Sequence, residues 1–214
     1  MKENIILIGG GGHCKSVIDV IESTEKYTIL GIIDQKERIG EVILGYKIIG
    51  SDDNIDDVIK NCQNFNITVG HIKSNQTRVK LYNLIKSKGG HFPIIISPTA
   101  YVSKHAKLKE GTIIMHHAFV NSAAKIGVNC IINTGASIEH DAEISNHCHI
   151  STGAFINGEC KIGNNCFIGS NSTIIHCICI EENNLIAAGS VVTKNAEAGY
   201  IYAGNPAKKI KKII

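Results

Sequence analysis

The chain has 214 residues, of which 43% are hydrophobic and 19% charged, and this composition excludes an intrinsically disordered protein. Its net charge of +3 is too small for the basic surface of a nucleic-acid-binding domain. No apolar run approaches the roughly 18 residues of a membrane-spanning helix, and no signal-peptide pattern precedes the first apolar segment. The eight cysteines lack the spacing of a disulfide framework or a zinc knuckle. These features predict a reduced, cytoplasmic protein without membrane insertion and without a nucleic-acid partner.

The first 95 residues alternate apolar strands with helical segments. Strands are predicted at residues 4–8, 28–33 and 66–70, and helices at residues 13–21, from residue 51 onward and at residues 74–86. The helix near residue 51 has a capping serine and acidic residues in its first turn. Because such alternation is typical of parallel α/β sheets, residues 1–95 are predicted to form a half-Rossmann-like domain.

The glycine run Gly9–Gly12 joins the first predicted strand to the first predicted helix. It supplies the first two glycines of a dinucleotide-binding fingerprint, but Cys14 stands where the third belongs, so an NAD enzyme is not expected. Backbone amides at a helix start suit a phosphate, and Asp34 at the end of the next strand suits a ribose or a base edge. The sequence therefore indicates a sugar-nucleotide site, with a turn that merely connects strand and helix as the alternative.

Residues 102–192 carry an aliphatic side chain at every sixth position, sixteen times in succession. The position four residues after each aliphatic one is nearly always small, and Gly and Asn are common between them. This period fits neither a helix nor an ordinary alternating strand, and it predicts short strands joined by sharp turns. The small positions include Cys130, Cys148, Cys160 and Cys166, where a buried thiol acts as a compact hydrophobic group.

The repeats, such as Ile-Gly-Asn-Asn-Cys-Phe at residues 162–167, resemble the hexapeptides of left-handed parallel β-helix acyltransferases. This resemblance implies an all-β left-handed β-helix with a C-terminal tail over residues 96–214. Three hexapeptides would form each triangular coil, giving about five coils. Residues eighteen apart would then stack directly, one strand spacing of about 4.8 Å from each other.

The resemblance covers essentially the whole chain. It rests on the glycine turn that ends in Gly12-His13, the acid at position 34, the hexapeptide array and the Gly204–Lys208 tail. These features are similar to the sugar O-acyltransferase (sialic acid O-acetyltransferase-like) family, which also includes bacterial N-acetyltransferases of nucleotide-linked 4-amino-sugars. Within it, the sequence most resembles the enzymes that acetylate a UDP-linked 4-amino-4,6-dideoxy-sugar in bacillosamine biosynthesis. The resemblance implies an acetyl-CoA-dependent N-acetyltransferase of bacterial glycan biosynthesis, assembled as a homotrimer with its sites between subunits.

The segment Ser137–Asp141 matches the catalytic stretch of this family, with His140 as the general base. Acyl transfer to a sugar amine needs a base, because the nitrogen loses a proton as it bonds to the thioester carbon, and a neutral imidazole serves this purpose. The resemblance makes Asp141 the acid that raises the basicity of His140, although the family residue is a glutamate, one methylene longer. Gly158 lies eighteen residues after His140, and its amide matches one that contacts the acetyl carbonyl.

The remaining site residues follow from the resemblance alone. The residues expected to bind the nucleotide sugar are Gly11, Gly12, His13, Asp34, Gln35, Gly70 and Asn133. Those expected to bind acetyl-CoA are His149, Gly158, Ser170 and Ala188. For His149 the alternative is packing at a corner or at a trimer interface. The C-terminal lysines, which are Lys208, Lys209, Lys211 and Lys212, either contact the phosphates of CoA or form a solvated tail.

Two other activities stay open. One is a sialic acid O-acetyltransferase, because the same imidazole can deprotonate a hydroxyl as well as an amine. The glycine turn and Asp34 favour the amine, since they indicate an acceptor that arrives attached to a nucleotide. The other is a zinc enzyme of the γ-carbonic-anhydrase type, because the second half of the chain is rich in histidine. The nucleotide-binding domain and the tail have no place in a zinc enzyme of this type, so no metal is expected.

Overall fold

In the computed structural model, which describes residues 2–213, the chain forms an open α/β sheet followed by a three-sided coil of short strands. The α/β part comprises β1 (Glu3–Ile8), α1 (Gly12–Thr24), β2 (Tyr27–Ile33), β3 (Val42–Ile43), β4 (Tyr46–Gly50), α2 (Ile55–Asn61), β5 (Phe65–Ile67) and α3 (Gln76–Ser87). The predicted succession of an α/β domain and a β-helix is confirmed.

The α/β sheet has the strand order β3-β4-β2-β1-β5. Strand β1 is parallel to both β2 and β5, and its side chains alternate between two buried faces. Ile5 and Leu7 pack with α1, whereas Ile6 and Ile8 pack with residues of α3. Because parallel strands end at the same edge, this arrangement brings the residues that follow β1, β2 and β5 together.

The α/β domain has three main differences from the prediction. Strand β5 ends at Ile67 rather than at residue 70, because residues 68–70 leave the sheet and line the cavity at its edge. The antiparallel β3–β4 hairpin was not predicted, because β3 is only two residues long and too short to show a periodic pattern. Helix α3 begins at Gln76 rather than at residue 74, after Asn75 as its N-cap residue. The predicted capping near residue 51 is present, as Ser51 and Asn54 form a capping box ahead of α2.

The strands of the β-helix are two residues long until the C-terminal hairpin. They are β6 (Ile95–Ile96), β7 (Tyr101–Val102), β8 (Lys107–Leu108), β9 (Ile113–Ile114), β10 (Phe119–Val120), β11 (Lys125–Ile126), β12 (Ile131–Ile132), β13 (Ser137–Ile138), β14 (Glu143–Ile144), β15 (His149–Ile150), β16 (Phe155–Ile156), β17 (Lys161–Ile162), β18 (Phe167–Ile168), β19 (Thr173–Ile174), β20 (Cys179–Ile180), β21 (Leu185–Ile186), β22 (Val191–Val192), β23 (Tyr200–Gly204) and β24 (Ala207–Lys212). The domain boundary predicted between residues 95 and 96 falls within β6 and stays a prediction.

These strands form three sheets. The interdomain sheet has the order β24-β23-β21-β18-β15-β12-β9-β6, the aromatic sheet β22-β19-β16-β13-β10-β7, and the charged sheet β20-β17-β14-β11-β8. From β7 to β22, paired residues are eighteen apart, as in the pairs of Ile132 with Ile150 and of Ile138 with Ile156. The stacking that the hexapeptide period predicts is therefore present in the structure.

The inside of the coil is filled by the aliphatic and small positions of the repeat. The four cysteines of the small position are buried, as predicted. Cys130, Cys148 and Cys166 stack in one column, and each thiol donates to a carbonyl of the next coil at 3.0–3.1 Å. These thiols therefore act as small core groups that also satisfy turn carbonyls.

The three sheets present different outer faces. Ile113 and Ile131 of the interdomain sheet are buried against the core of the α/β domain. The aromatic sheet carries Tyr101 stacked on Phe119 at 5.2 Å between ring centres, and Phe155, which is 49% exposed. The charged sheet carries lysine and glutamate side chains, and Lys125 pairs with Glu143 at 2.8 Å as is typical of a solvated surface.

Two of the corners between these sheets matter for function. The interdomain corner joins the interdomain and aromatic sheets, and its stacked residues are His116, Thr134, Thr152, Ser170 and Ala188. The His140 corner joins the aromatic and charged sheets, and its stacked residues are Ser122, His140, Gly158 and His176. The aromatic sheet separates the two corners.

Candidate active site

A cavity of about 750 Å³ lies at the carboxyl ends of β1, β2 and β5. Of the residues predicted to bind the nucleotide sugar, those lining it are Gly11, Gly12, His13, Asp34, Gln35 and Gly70. Helix α1 begins at Gly12, and a side chain built on Gly11 or Gly12 would meet nothing within 4 Å. The glycine turn and the first residue of α1 thus line the cavity, and the start of a helix is an arrangement that binds a phosphate.

Asp34 braces the glycine turn. Its Oδ2 accepts hydrogen bonds from the Gly10 amide and from Arg38 Nη1, both at 2.6 Å, and its Oδ1 accepts one from the Gln35 amide. Arg38 also donates to Glu41 Oε2 through Nε and Nη2. Arg38 lines the same cavity, although no motif in the sequence indicates this position.

A second cavity, the interdomain hollow, has about 660 Å³ and is lined by both domains. Its walls are Gly12, His13, Ser16, Gly70, His71 and Ile72 from the α/β domain, and Asn133, Thr134, His149 and Thr152 from the β-helix. Gly12, His13 and Gly70 line both cavities, so the hollow adjoins the cavity of about 750 Å³, which is named the nucleotide-sized cavity. Its polar groups are hydroxyls, an amide and imidazoles, with no lysine, arginine or carboxylate among these lining residues.

The imidazole of His149 is held from both sides. Its Nδ1 lies 2.9 Å from the carbonyl of His71, and its Nε2 lies 3.2 Å from Asn133 Nδ2. Burial lowers the pKa of His149 to about 4 and the pKa of His13 to about 3. Both side chains are therefore neutral near pH 7, as is His71, whose pKa burial also lowers to about 3.

His140 lies on the other corner, with Asp141 and Gly158. The His140 Nδ1 is 3.0 Å from Asp141 Oδ2, so the aspartate reaches the imidazole despite its shorter side chain. Both side chains are more than half exposed. The imidazole lies directly over Gly158, because a Cβ built there would be 2.6 Å from His140 Cε1. Among the described residues, the Gly158 amide donates to no backbone carbonyl.

The predicted acetyl-CoA residues divide between the corners. Ser170 and Ala188 stack on the interdomain corner and His149 is close by, whereas Gly158 is on the His140 corner. Within one chain, His140 therefore lies beside Gly158 and His13 lies near His149, but the two pairs are on different corners. Each of these roles stays a prediction.

The C-terminal lysines lie on β24. Lys209 is paired with Glu197 at 2.8 Å and covers the ring of Tyr200 at 3.7 Å. Lys208 is adjacent to the turn of the hairpin, whose Gly204 amide donates to Ser190 on the interdomain corner. Lys208 is thus the lysine nearest in the chain to the turn that contacts this corner.

His116 of the β-helix contacts both domains. His116 Nδ1 is 2.6 Å from Ser97 Oγ, and its Nε2 is 2.8 Å from Asp19 Oδ2 of α1, so it ties the two domains. Over residues 2–213, no three histidine, cysteine or acidic side chains are grouped in a way that could hold a metal. In the same residues, no helix combines the length and apolarity needed to cross a bilayer.

Two family models match this sequence. The PglD N-terminal domain matches residues 4–85, and the bacterial transferase hexapeptide model, of six repeats, matches residues 159–194. No curated protein matches the sequence.

Several solved structures match nearly the whole chain. A mutant of perosamine N-acetyltransferase from Caulobacter crescentus, in complex with CoA and GDP-perosamine, is 27% identical. The alignment covers 98% of this chain and 97% of that chain, with a TM-score of 0.92. The acetyltransferase domain of PglB from Neisseria gonorrhoeae is 26% identical over 98% of this chain and 100% of that chain, with a TM-score of 0.91. It is also known in complex with acetyl coenzyme A. WeeI from Acinetobacter baumannii, 23% identical over 98% and 100% of the two chains with a TM-score of 0.85, shares the fold.

Proposed function

Because the chain belongs to the left-handed β-helix sugar acyltransferases, we propose that it is an acetyl-CoA-dependent N-acetyltransferase of a nucleotide-linked 4-amino-sugar. The observation that carries this proposal is the interdomain hollow, which adjoins the nucleotide-sized cavity and is lined by uncharged hydrogen-bonding groups. A nucleotide in the larger cavity, with its phosphates at the start of α1, would leave its sugar in the hollow. Solved relatives that bind CoA with GDP-perosamine, or acetyl coenzyme A, support the same assignment.

The uncharged lining favours an amino-sugar over a sialic acid. A sialic acid carries a carboxylate, and carboxylate sites are normally built with arginine or lysine. The residues lining the hollow supply neither, and burial keeps the imidazoles of His13 and His149 neutral. We therefore place sialic acid O-acetylation second, as an outcome of the test below.

In the proposed reaction, the acceptor amine attacks the thioester carbonyl while His140 accepts the amine proton. Asp141 holds the Nδ1 side of the ring at 3.0 Å, which leaves Nε2 free to take this proton. The Gly158 amide stabilises the negative charge that develops on the carbonyl oxygen. The carbon–sulfur bond then breaks, and the CoA thiolate leaves and takes up the proton from His140.

We propose a homotrimer in which two copies complete each site. The hollow is at the interdomain corner and His140 is on the other side of the aromatic sheet, which supports a site that His140 of a second copy completes. The exposed Phe155 on the aromatic sheet supports contact with a second copy. Light scattering should give three times the chain mass, and Phe155→Glu should reduce the mass and the activity together. A fully active monomer would refute this assembly.

The acceptor is tested by following thiol release from acetyl-CoA. UDP-4-amino-4,6-dideoxy-N-acetylglucosamine is the acceptor that we propose, and the screen includes the dTDP- and GDP-linked 4-amino-sugars and free sialic acids. His140→Ala should reduce the rate at least about a hundredfold, since a general base contributes about 10²–10⁴, while nucleotide affinity stays unchanged. If only hydroxyl acceptors release thiol, the N-acetyltransferase proposal is wrong. If His140→Ala keeps its activity, the proposed base is wrong.

A further inference from the structure

Arg78 of α3 is fully buried, and its charge faces carbonyl groups rather than a carboxylate. Its Nη1 donates to the carbonyls of Ile67 and Val69, and its Nε donates to the carbonyl of Asn129 at 3.3 Å. None of the ion pairs among the described residues includes Arg78. Ile67 and Val69 belong to the α/β domain and Asn129 to the β-helix, so one guanidinium ties the end of β5 to the coil.

The segment that Arg78 anchors leads directly to the interdomain hollow. Two residues after Val69, the carbonyl of His71 lies 2.9 Å from His149 Nδ1. A carbonyl only accepts hydrogen bonds, so His149 must carry its proton on Nδ1. In the neutral ring, Nε2 is then an acceptor, and Asn133 Nδ2 faces it at 3.2 Å.

We infer that Arg78 is a positioning residue for acetyl transfer: it holds the Thr68–His71 segment against the β-helix and thereby fixes His149 in the Nδ1–H form. This inference rests on the proposed function. A fixed tautomer keeps Nε2 unprotonated in every molecule, so that it accepts the hydrogen bond from Asn133 Nδ2 and holds this amide, which lines the hollow, in one orientation. Preorganised groups of this kind need no rearrangement when the reactants bind.

A lysine would not replace this arginine. The planar guanidinium spreads its donors widely enough to reach carbonyls of two domains, whereas an ammonium is a compact point charge. The buried charge also acts on the neighbouring rings, because Arg78 adds to the burial that lowers the pKa of His13, His71 and His149. Arg78 thus holds the position of the segment and adds to the burial that keeps these rings neutral.

The inference is tested first on the unmodified protein, by long-range proton–nitrogen NMR of its histidines. We expect His149 to have a protonated Nδ1 and an unprotonated Nε2 from pH 6 to pH 8. An Nε2–H form would overturn the inference, whatever the acceptor proves to be. This measurement needs no substrate, so it separates a failure of the inference from a failure of the proposed function.

Variants then test the role of Arg78. Arg78→Met should mix the two His149 tautomers and lower kcat/KM for acetyl-CoA about 10²-fold, the effect of a misplacement of about 1 Å. Arg78→Lys should retain only part of the tautomer preference of His149 and only part of the kcat/KM. Lys86→Met is the matched control, because Lys86 also links α3 to the β-helix, through Glu110 on the surface, and should change neither. Arg78 variants that keep the tautomer and the rate would refute the inference. If Arg78→Met does not fold, Arg78→Lys and the spectrum of the unmodified protein decide.

Discussion

Replacing Gly158 with alanine tests whether His140 works from the position it occupies. The added Cβ would lie 2.6 Å from His140 Cε1 and 2.8 Å from Nε2, so the ring must move by about 0.8 Å to reach ordinary contact at 3.4 Å. The backbone at Gly158 has no positive φ, so alanine adds no strain of its own. Because a displacement of about 1 Å can cost about 10²-fold in rate, we expect kcat to fall by about tenfold to about a hundredfold.

The assay is thiol release from acetyl-CoA at saturating acceptor, with the mass of the assembly checked in parallel. His176→Ala, one coil further along the same corner, is the control and should keep its rate. In a His140→Ala background, Gly158→Ala should have almost no further effect, because the clash needs the imidazole. The reasoning fails if Gly158→Ala is fully active, or if its cost is the same with and without His140.

Three further changes test the rest of the site. Asp34→Asn should weaken nucleotide binding by about tenfold in calorimetry, since it weakens charge-assisted bonds to the glycine turn, whereas the exposed Asp57→Asn should not. Lys208→Ala should raise KM for acetyl-CoA about two- to fivefold, and Lys209→Ala should raise it less, because Lys209 is already paired with Glu197. A larger effect of Lys209→Ala would contradict a contact between Lys208 and CoA. In urea unfolding, the free energy of unfolding should fall as pH drops below 6.5. The unfolded chain then binds protons on its imidazoles, whereas burial lowers the pKa of His13, His71 and His149 in the folded protein to about 3, about 3 and about 4. His71→Gln should make this decline shallower, and an unchanged slope would show that His71 does not contribute to the pH dependence.

The β-helix could be predicted almost completely from the sequence. Its period of six is a local property, because each strand needs one aliphatic residue and each corner one small residue. The eighteen-residue stacking then follows from coil geometry, and it placed His140 over Gly158 without any side-chain information. The α/β domain was predicted less fully, since the β3–β4 hairpin depends on its contact with β2 rather than on its own pattern.

The site was harder to predict because it depends on contacts between domains. Neither the His71 carbonyl nor its bond to His149 leaves a signal in the residue types, since any residue has a carbonyl. Arg78 did leave one that was missed. It belongs to the apolar stripe of α3, three, four and seven residues before Leu81, Tyr82 and Ile85. An arginine within such a stripe indicates a buried cation that binds specific polar groups.

The unbroken pairing of the coil also determines which changes of length the protein tolerates. Every strand from β7 to β22 pairs with the strand eighteen residues away. Losing one residue within this region would move all later aliphatic side chains from the interior to the outer face of their strands. Within the stacked strands, length can therefore change without a shift of register only by whole coils. His140 and Gly158 are on consecutive coils, so a coil could be gained or lost before or after this pair but not inserted between them.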